Sequence, residues 1–315
     1  MTSVAQHEID HRPPTLSPVT PRRSRTIKSA QRRAVTLLTA PGLIWYAVFM
    51  VIPAASIFVF SLLDWPGLLA PATFAGFSNY AEMVADPVFW TAVLNTLIEL
   101  GVDLAVMIPV SFMLGYYLTL KRPGHRILRV LFFTPALLSL SARALVFFGV
   151  LAPNGLVNGI FSLIGLGDLS TPWLANPDTS LAVVMIVDLW GGIGFTAILF
   201  AARLASVSPE IYEAAELDGA TSWRKMWSVA MPVIRGFVGI VTMLQFAWIL
   251  FGSATTVLLL TRGGPGSTST TLSFMVYNEA FVQSNIGYSQ AIGVVLFIFG
   301  LLGMLAINRS IRQRY

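Results

Sequence analysis

The chain has 315 residues, of which 55% are hydrophobic and only 11% charged, with a mean hydropathy of +0.73; soluble domains carry about 25% charge, so most of this length belongs in a bilayer. The absence of cysteine excludes disulfides, thiolate metal sites and a cysteine nucleophile, and three histidines, two of them His7 and His11 in the polar start, argue against a histidine metal cluster. The net charge of +5 does not by itself point to nucleic acid, because its distribution decides the matter.

Residues 1–33 are polar and rich in Pro, Ser and Thr, with seven basic residues from Arg12 to Arg33. Such a segment cannot bury a core and reads as a disordered, basic cytoplasmic tail. The apolar run from Ala34 to Leu63 that follows exceeds the ~7–15 residues of a signal-peptide core, so it reads as a retained anchor. A membrane helix needs ~20 apolar residues. Six stretches meet that need, near 35–63, 89–119, 127–151, 180–203, 233–260 and 287–308. The fold expected over 34–315 is therefore one all-α membrane domain of about six transmembrane helices. Pro41, Pro53, Pro109 and Pro135 fall in or near three of the stretches, where kinks are expected.

Orientation follows from lysine and arginine. Eighteen of the 20 lie in the tail, the second-to-third connection (Lys121, Arg122, Arg126, Arg129), the fourth-to-fifth connection (Arg203, Arg224, Lys225, Arg235) and the C-terminal end (Arg309, Arg312, Arg314). The exceptions are Arg262 in an opposite loop and Arg143 inside the third stretch. Both termini are then expected in the cytoplasm of a cell whose membrane the chain crosses several times. Positive charge placed by insertion, with no basic-aromatic groove, argues against nucleic acid. The outer loops are short and acidic, and only residues 64–88 are long enough for a small helical cap.

Between the fourth and fifth stretches lies Glu213–Pro232, EAAELDGATSWRKMWSVAMP, which is too polar for lipid and too structured for a linker. Ser208 and Pro209 suit a helix start, with Ser208 expected to cap it through its side chain. Glu210 and Glu213 put negative charge near that N-terminus. Asp218-Gly219 marks a turn, and Trp223, Met226 and Trp227 give a second helix one apolar face. Two short helices on the cytosolic side read as a docking part, spanning 208–232.

Ionisable residues inside spans are costly, so they are functional or paired. Four occur: Glu99 and Asp103, one turn apart in the second stretch, Arg143 in the third and Asp188 in the fourth. One reading is a hydrated substrate cavity lined by Asn95, Glu99, Arg143, Asp188, Trp190, Gln245 and Trp248, the last two offering a hydrogen bond and a stacking face to a polyol ring. The other is a structural Arg143–carboxylate pair with the remaining groups satisfied by neighbouring helices. No G-x-x-x-x-G-K-[ST] stretch exists, and Gly263-Gly264-Pro265-Gly266 lacks the lysine, so ATP has no phosphate cradle here.

Glu213-Ala214-Ala215, Asp218-Gly219-Ala220 and the ending Val229-Ala230-Met231-Pro232 together resemble the EAA loop of bacterial ATP-binding-cassette import permeases. The family usually has isoleucine and leucine where Val229 and Met231 stand, often phenylalanine where Met226 stands, and commonly proline where Gly236 stands. Gly76-Phe77-Ser78-Asn79-Tyr80, Asn95-Thr96 and the stretch Leu260–Thr268 are similar to the carbohydrate-uptake subfamily, most of all to the first permease of maltose and glycerol-phosphate systems. The resemblance covers about residues 35–310 and implies a type I importer permease fold. It implies docking on an ATPase through Glu213, Ala214, Ala215, Asp218, Gly219, Ala220, Trp223, Met226 and Pro232. Its implied partners are a second homologous permease, two ATPase subunits that bind ATP and magnesium, and an extracytoplasmic solute-binding protein; the chain itself would hold no cofactor and do no chemistry. Its implied solute is a di- or oligosaccharide or a glycerol-phosphate compound. Two other classes compete: an ion-coupled secondary transporter using Glu99, Asp103 and Asp188, against which no inverted repeat is found, and a membrane enzyme, against which no clustered nucleophile, base or metal set is found in the loops.

Overall fold

The computed structural model describes residues 24–120 and 123–311, with side chains from Val35 onward. It divides into two units at Ala54. The first holds helix α1 (Ser24–Tyr46), a π-helical segment (Ala47–Val51) and the start of α2 (Ile52–Phe60). Helix α1 begins inside the stretch read as tail, because no proline interrupts Ser24–Ala40; the rest of that reading, residues 1–23, lies outside the described residues. Leu38, Trp45 and Phe49 are exposed, as a lipid-facing span requires, and the Trp45 and Phe49 rings stack at 4.2 Å.

The second unit opens with a two-residue antiparallel hairpin, β1 (Leu63–Asp64) against β2 (Thr73–Phe74), with Leu63 opposite Phe74. Helix α3 (Ser78–Ala85) follows, so residues 64–88 do form a small cap. Its motif residues fasten it. Gly76 takes φ +61°, the left-handed conformation open to glycine. Asn79 Nδ2 donates to the carbonyls of Ser61 and Leu63 at 2.9 and 2.8 Å.

Four long helices then cross the unit: α4 (Pro87–Thr119), α8 (Ser180–Ala205), α12 (Arg235–Leu260) and α14 (Ile286–Ile311). Each is apolar and long enough to span a membrane, as is Val35–Phe60. The stretch expected as a single third span is instead two helices, α5 (His125–Leu137) and α6 (Leu140–Val150), bent by 109°. The sequence explains the break. Leu138 is extended, and Ser139 Oγ accepts from the Ala142 amide at 3.2 Å, which starts a new helix. Pro135, with no N–H to give, sits in the last turn before the break. Among the described residues there are thus five helices long and apolar enough to span, and a sixth only if the bent pair counts as one.

Shorter helices link these: α7 (Leu156–Leu163), α9 (Pro209–Leu217), α10 (Ser222–Arg224), α11 (Met231–Val233) and α13 (Leu272–Phe281). Helices α4 and α8 form the central packed pair. A side chain at Gly115 would meet the Ala197 carbonyl oxygen at 2.8 Å, so only glycine lets the two helices approach this closely. Two main apolar cores result. One joins Met83, Phe89, Ile249, Leu272 and Tyr288; the other joins Phe112, Phe200, Leu204, Met226, Ile234 and Val241.

Candidate functional site: a membrane cavity and a two-helix hook

The first candidate is a cavity of about 350 Å³ between α6, α8 and α12, lined by Arg143, Asp188, Gln245, Trp248, Ser253 and Thr256 among others. Four of the seven residues expected in a substrate path therefore meet here: Arg143, Asp188, Gln245 and Trp248. Trp248 is 66% exposed and offers its ring. Gln245 is buried, and its Nε2 already donates to Thr196 Oγ1 at 2.8 Å, which fixes the amide and leaves its carbonyl oxygen to accept. Thr256 Oγ1 donates to Asp188 Oδ1 at 2.7 Å. Gly191 makes room for Arg143, since a Cβ there would overlap the guanidinium. Gly192 does the same for Met107, whose Cε would stand 2.5 Å from an added Cβ.

The expected Arg143–carboxylate pair does not form. Among the described residues the one ion pair within 4.0 Å is Lys225–Glu216, and Arg143 Nε is buried without a hydrogen-bond partner. Its guanidinium lines the cavity beside Asp188.

Three expected members are elsewhere. Asn95 is buried and its Nδ2 donates to the carbonyls of Thr268 and Thr270 at 3.0 and 2.9 Å, so it clamps the loop 261–271 rather than facing a solute. Trp190 packs edge-on against Phe147 at 5.3 Å. Glu99 is fully buried behind Ser253, whose Oγ donates to its Oε2 at 2.9 Å. The physical reason is that each is engaged by the protein itself, Asn95 by loop carbonyls, Trp190 by a neighbouring ring and Glu99, through one of its two oxygens, by a serine. Ser253, Thr256, Met107 and Phe195 were missed, because a serine or threonine in an apolar helix gives no signal until its partner is known.

The second candidate is Glu213–Pro232. Helix α9 and the segment after it form a hook. Gly219 at the bend takes φ +74°, and the Gly219 and Ala220 amides donate to the Glu216 and Ala215 carbonyls, both at 2.9 Å. Ser208 stands at the N-cap but its side chain makes no capping bond, contrary to expectation; Thr221 caps the next helix, accepting from Arg224 N at 3.4 Å. The expected second helix is a short α10 that runs into a π-helical segment, Lys225–Ala230. The wide turns rotate its side chains, so Trp223, Met226 and Trp227 do not share one fate. Trp223 is 61% exposed, whereas Met226 is buried in the chain's own core and the Trp227 ring lies 5.4 Å from that of Phe112. Pro232 lies in α11, and the long helix starts only at Arg235.

Lys225 Nζ reaches Glu216 Oε2 at 2.9 Å across the bend. That hydrogen bond and charge hold the exposed Glu216 carboxyl below the usual glutamate range. Burial, with Tyr116 nearby, pushes the Tyr212 hydroxyl up. The outer side of the hook is exposed: Ile211, Glu213, Ala214, Leu217 and Trp223. Exposed apolar side chains thus alternate with exposed carboxylates, those of Glu210, Glu213, Glu216 and Asp218.

The family of binding-protein-dependent transport system inner membrane components matches residues 107–314 of this chain. A probable ABC transporter permease protein, YurN of Bacillus subtilis (strain 168), is 32% identical over 270 residues, 84% of this chain and 91% of that protein. The multiple sugar-binding transport system permease protein MsmF of Streptococcus mutans is 32% identical over 279 residues, covering 87% of this chain and 94% of that one. Among solved structures, a chain of a bacterial ABC transporter involved in the import of the acidic polysaccharide alginate superposes with a TM-score of 0.78 over 92% of this chain and 99% of its own, at 22% identity, a likeness of fold.

Proposed function

The chain belongs to the family of binding-protein-dependent transport inner membrane components and is a permease subunit of an ABC importer, not an enzyme, and we propose that it forms one half of a path for a sugar, most simply a di- or oligosaccharide. The carrying observation is the cavity. It combines an exposed indole face at Trp248, a fixed amide at Gln245, a guanidinium at Arg143 whose Nε is unpartnered, and a carboxylate at Asp188. Sugar rings need that mix: a flat apolar face for C–H groups and convergent donors and acceptors for hydroxyls. Names of relatives such as the diacetylchitobiose, arabinooligosaccharide and lactose permeases support the same class. Family membership, with no support for the ion-coupled alternative, leaves the drive to ATP.

In this reading Glu213–Pro232 is the coupling hook, and residues 208–232 dock on an ATPase subunit. Ala214 is small enough for close helix approach, Glu213 is exposed for a basic partner residue, and Leu217 and Trp223 supply apolar contact. Met226 acts from the inside: it ties the hook to Phe112 of α4 and Phe200 of α8, so a push on the hook moves spans that flank the cavity. The importer pairs this chain with a second permease, two ATPase subunits holding ATP and magnesium, and an extracytoplasmic solute-binding protein that supplies the sugar. Both termini and the hook face the cytoplasm in this reading, which the distribution of basic residues supports. Residues 34–315 act as one permease domain behind a basic tail. Closure of the ATPase pair draws the hooks together and opens the cavity outward, and each state is biased by a different partner.

The test is uptake by the reconstituted importer. Gln245→Ala and Trp248→Ala, at unchanged protein abundance, are each expected to lower sugar uptake by about tenfold or more, the first in line with ~1–3 kcal/mol for an unmatched buried polar contact and the second through loss of the exposed ring face. Full uptake in both variants would refute the cavity's role.

A further inference from the structure

Behind the cavity wall, three carboxylates converge where α4, α8 and α12 meet. Glu99 and Asp103 lie one turn apart on α4, Asp188 lies on α8, and one oxygen from each lies within 4.8 Å of the other two. Glu99 and Asp103 are 0% exposed. Hydroxyls serve only part of the cluster: Ser253 donates to Glu99 Oε2 and Thr256 to Asp188 Oδ1. Asp103 receives nothing. Both of its oxygens and Glu99 Oε1 are buried with no hydrogen-bond partner. Three oxygens are thus shut away from water and unserved by any hydroxyl, amide or guanidinium, in a cluster whose three carboxylates each bring an oxygen within 4.8 Å of the other two. A buried charge in that condition needs a partner of opposite sign.

We propose that Glu99, Asp103 and Asp188 hold a resident divalent cation of calcium size. The donor set is all oxygen and mostly carboxylate, the choice of a hard cation. Calcium binds oxygen at about 2.3–2.6 Å in flexible geometry, so a single ion can touch all three carboxylates, which lie within 4.8 Å of one another. Magnesium demands a tighter octahedron and gives up its waters reluctantly, which a dry site between helices does not suit. Charge gives the same answer. Three carboxylates against the one arginine of the adjoining cavity leave two negative charges, which one divalent ion balances. The ion also joins α4 to α8, the central packed pair. It is a fixed counter-ion of the permease, not a transported one. The way in is the cavity, which Asp188, Ser253 and Thr256 line.

The experiment uses the whole importer in lipid nanodiscs, stripped with a chelator and then titrated with radioactive calcium chloride, with thermal unfolding followed in parallel. The wild type is expected to bind one calcium per copy of this chain and to unfold at higher temperature as calcium rises. Asp103→Asn and Glu99→Gln are each expected to weaken that binding by about tenfold or more, since losing even an outer-shell partner of a metal costs about 10–100-fold. Asp86→Asn, at the N-cap of α4 thirteen residues before Glu99, is expected to bind as the wild type does. Two variants keep the test informative if one fails to assemble. No saturable calcium binding in the wild type, or undiminished binding in Asp103→Asn or Glu99→Gln, overturns the proposal; the former outcome means the cluster is neutralised by protons. Because calcium bound is read rather than sugar moved, failure here leaves the sugar path standing.

Discussion

Thr256 Oγ1 donates to Asp188 Oδ1 at 2.7 Å, from α12 to α8 across the wall of the cavity. The bond orients the one carboxylate that both faces the cavity and belongs to the buried acidic cluster. Replacing Thr256 by valine keeps the shape and removes the donor. An unmatched buried acceptor costs ~1–3 kcal/mol. Thr256→Val is therefore expected to lower sugar uptake about tenfold with normal abundance, while Thr256→Ser, which keeps the hydroxyl, restores most of it. Uptake rates in proteoliposomes check this.

Asn95 illustrates the opposite kind of polar group. Its amide holds carbonyls of a loop whose Ser269, Thr270 and Thr271 are themselves buried, and Thr96 Oγ1 accepts from the Leu272 amide at 2.9 Å. Asn95→Leu strands those carbonyls at a cost of ~1–3 kcal/mol each at most. The expected outcome is a lower unfolding temperature, with the concentration dependence of uptake unchanged for the protein that remains folded. Thermal unfolding in detergent measures the first effect and uptake kinetics the second.

Gly219 has open space around a would-be Cβ, so a substitution there is opposed by backbone conformation rather than by crowding. A non-glycine residue in the left-handed region costs ~1–2 kcal/mol. Gly219→Leu is expected to leave the protein inserted, to distort the hook and to loosen the ATPase subunit. Co-purification of the ATPase with the variant reads this out. The same assay covers Glu213→Lys, which reverses the exposed charge of the docking edge.

The Glu216–Lys225 link makes a pH prediction. The folded carboxyl is held below its ordinary value by the Lys225 hydrogen bond. A group depressed in the folded state contributes stability that is present above its unfolded pKa and lost as pH falls through the folded value. The hook's amides are therefore expected to lose hydrogen-exchange protection on acidification below the ordinary glutamate range. Glu216→Gln should show less protection at neutral pH and no such step. Glu216 is fully exposed, so salt should weaken the effect.

Much of this was legible in the sequence, for reasons tied to particular residues. Long apolar runs give spans because lipid satisfies no backbone polar group and a helix satisfies its own, and Gly219 marks its turn because the left-handed conformation favours glycine. The 109° break in the third stretch was hidden because hydropathy is blind to a serine N-cap such as Ser139. The same blindness made Asn95 look like a solute contact. Polarity inside a span announces a partner without saying which: for Gln245 it was a cavity edge, for Asn95 a loop, for Glu99 a serine. Met226, whose residue type suits either a partner's groove or the chain's own helix ends, takes the second course: it lies in the core, within the π-helical segment.

The central claim is that a sugar passes through the cavity between α6, α8 and α12. The native chain has no cysteine, so a single introduced one reports alone. Leu244, 48% exposed on the cavity lining, is a suitable place. In the reconstituted importer with Leu244→Cys, the labelling rate by a small water-soluble thiol reagent is measured with and without the transported sugar and its binding protein. The account predicts slower labelling when sugar and binding protein are present together with ATP. A labelling rate that sugar leaves unchanged, in an importer that still transports it, would contradict the account.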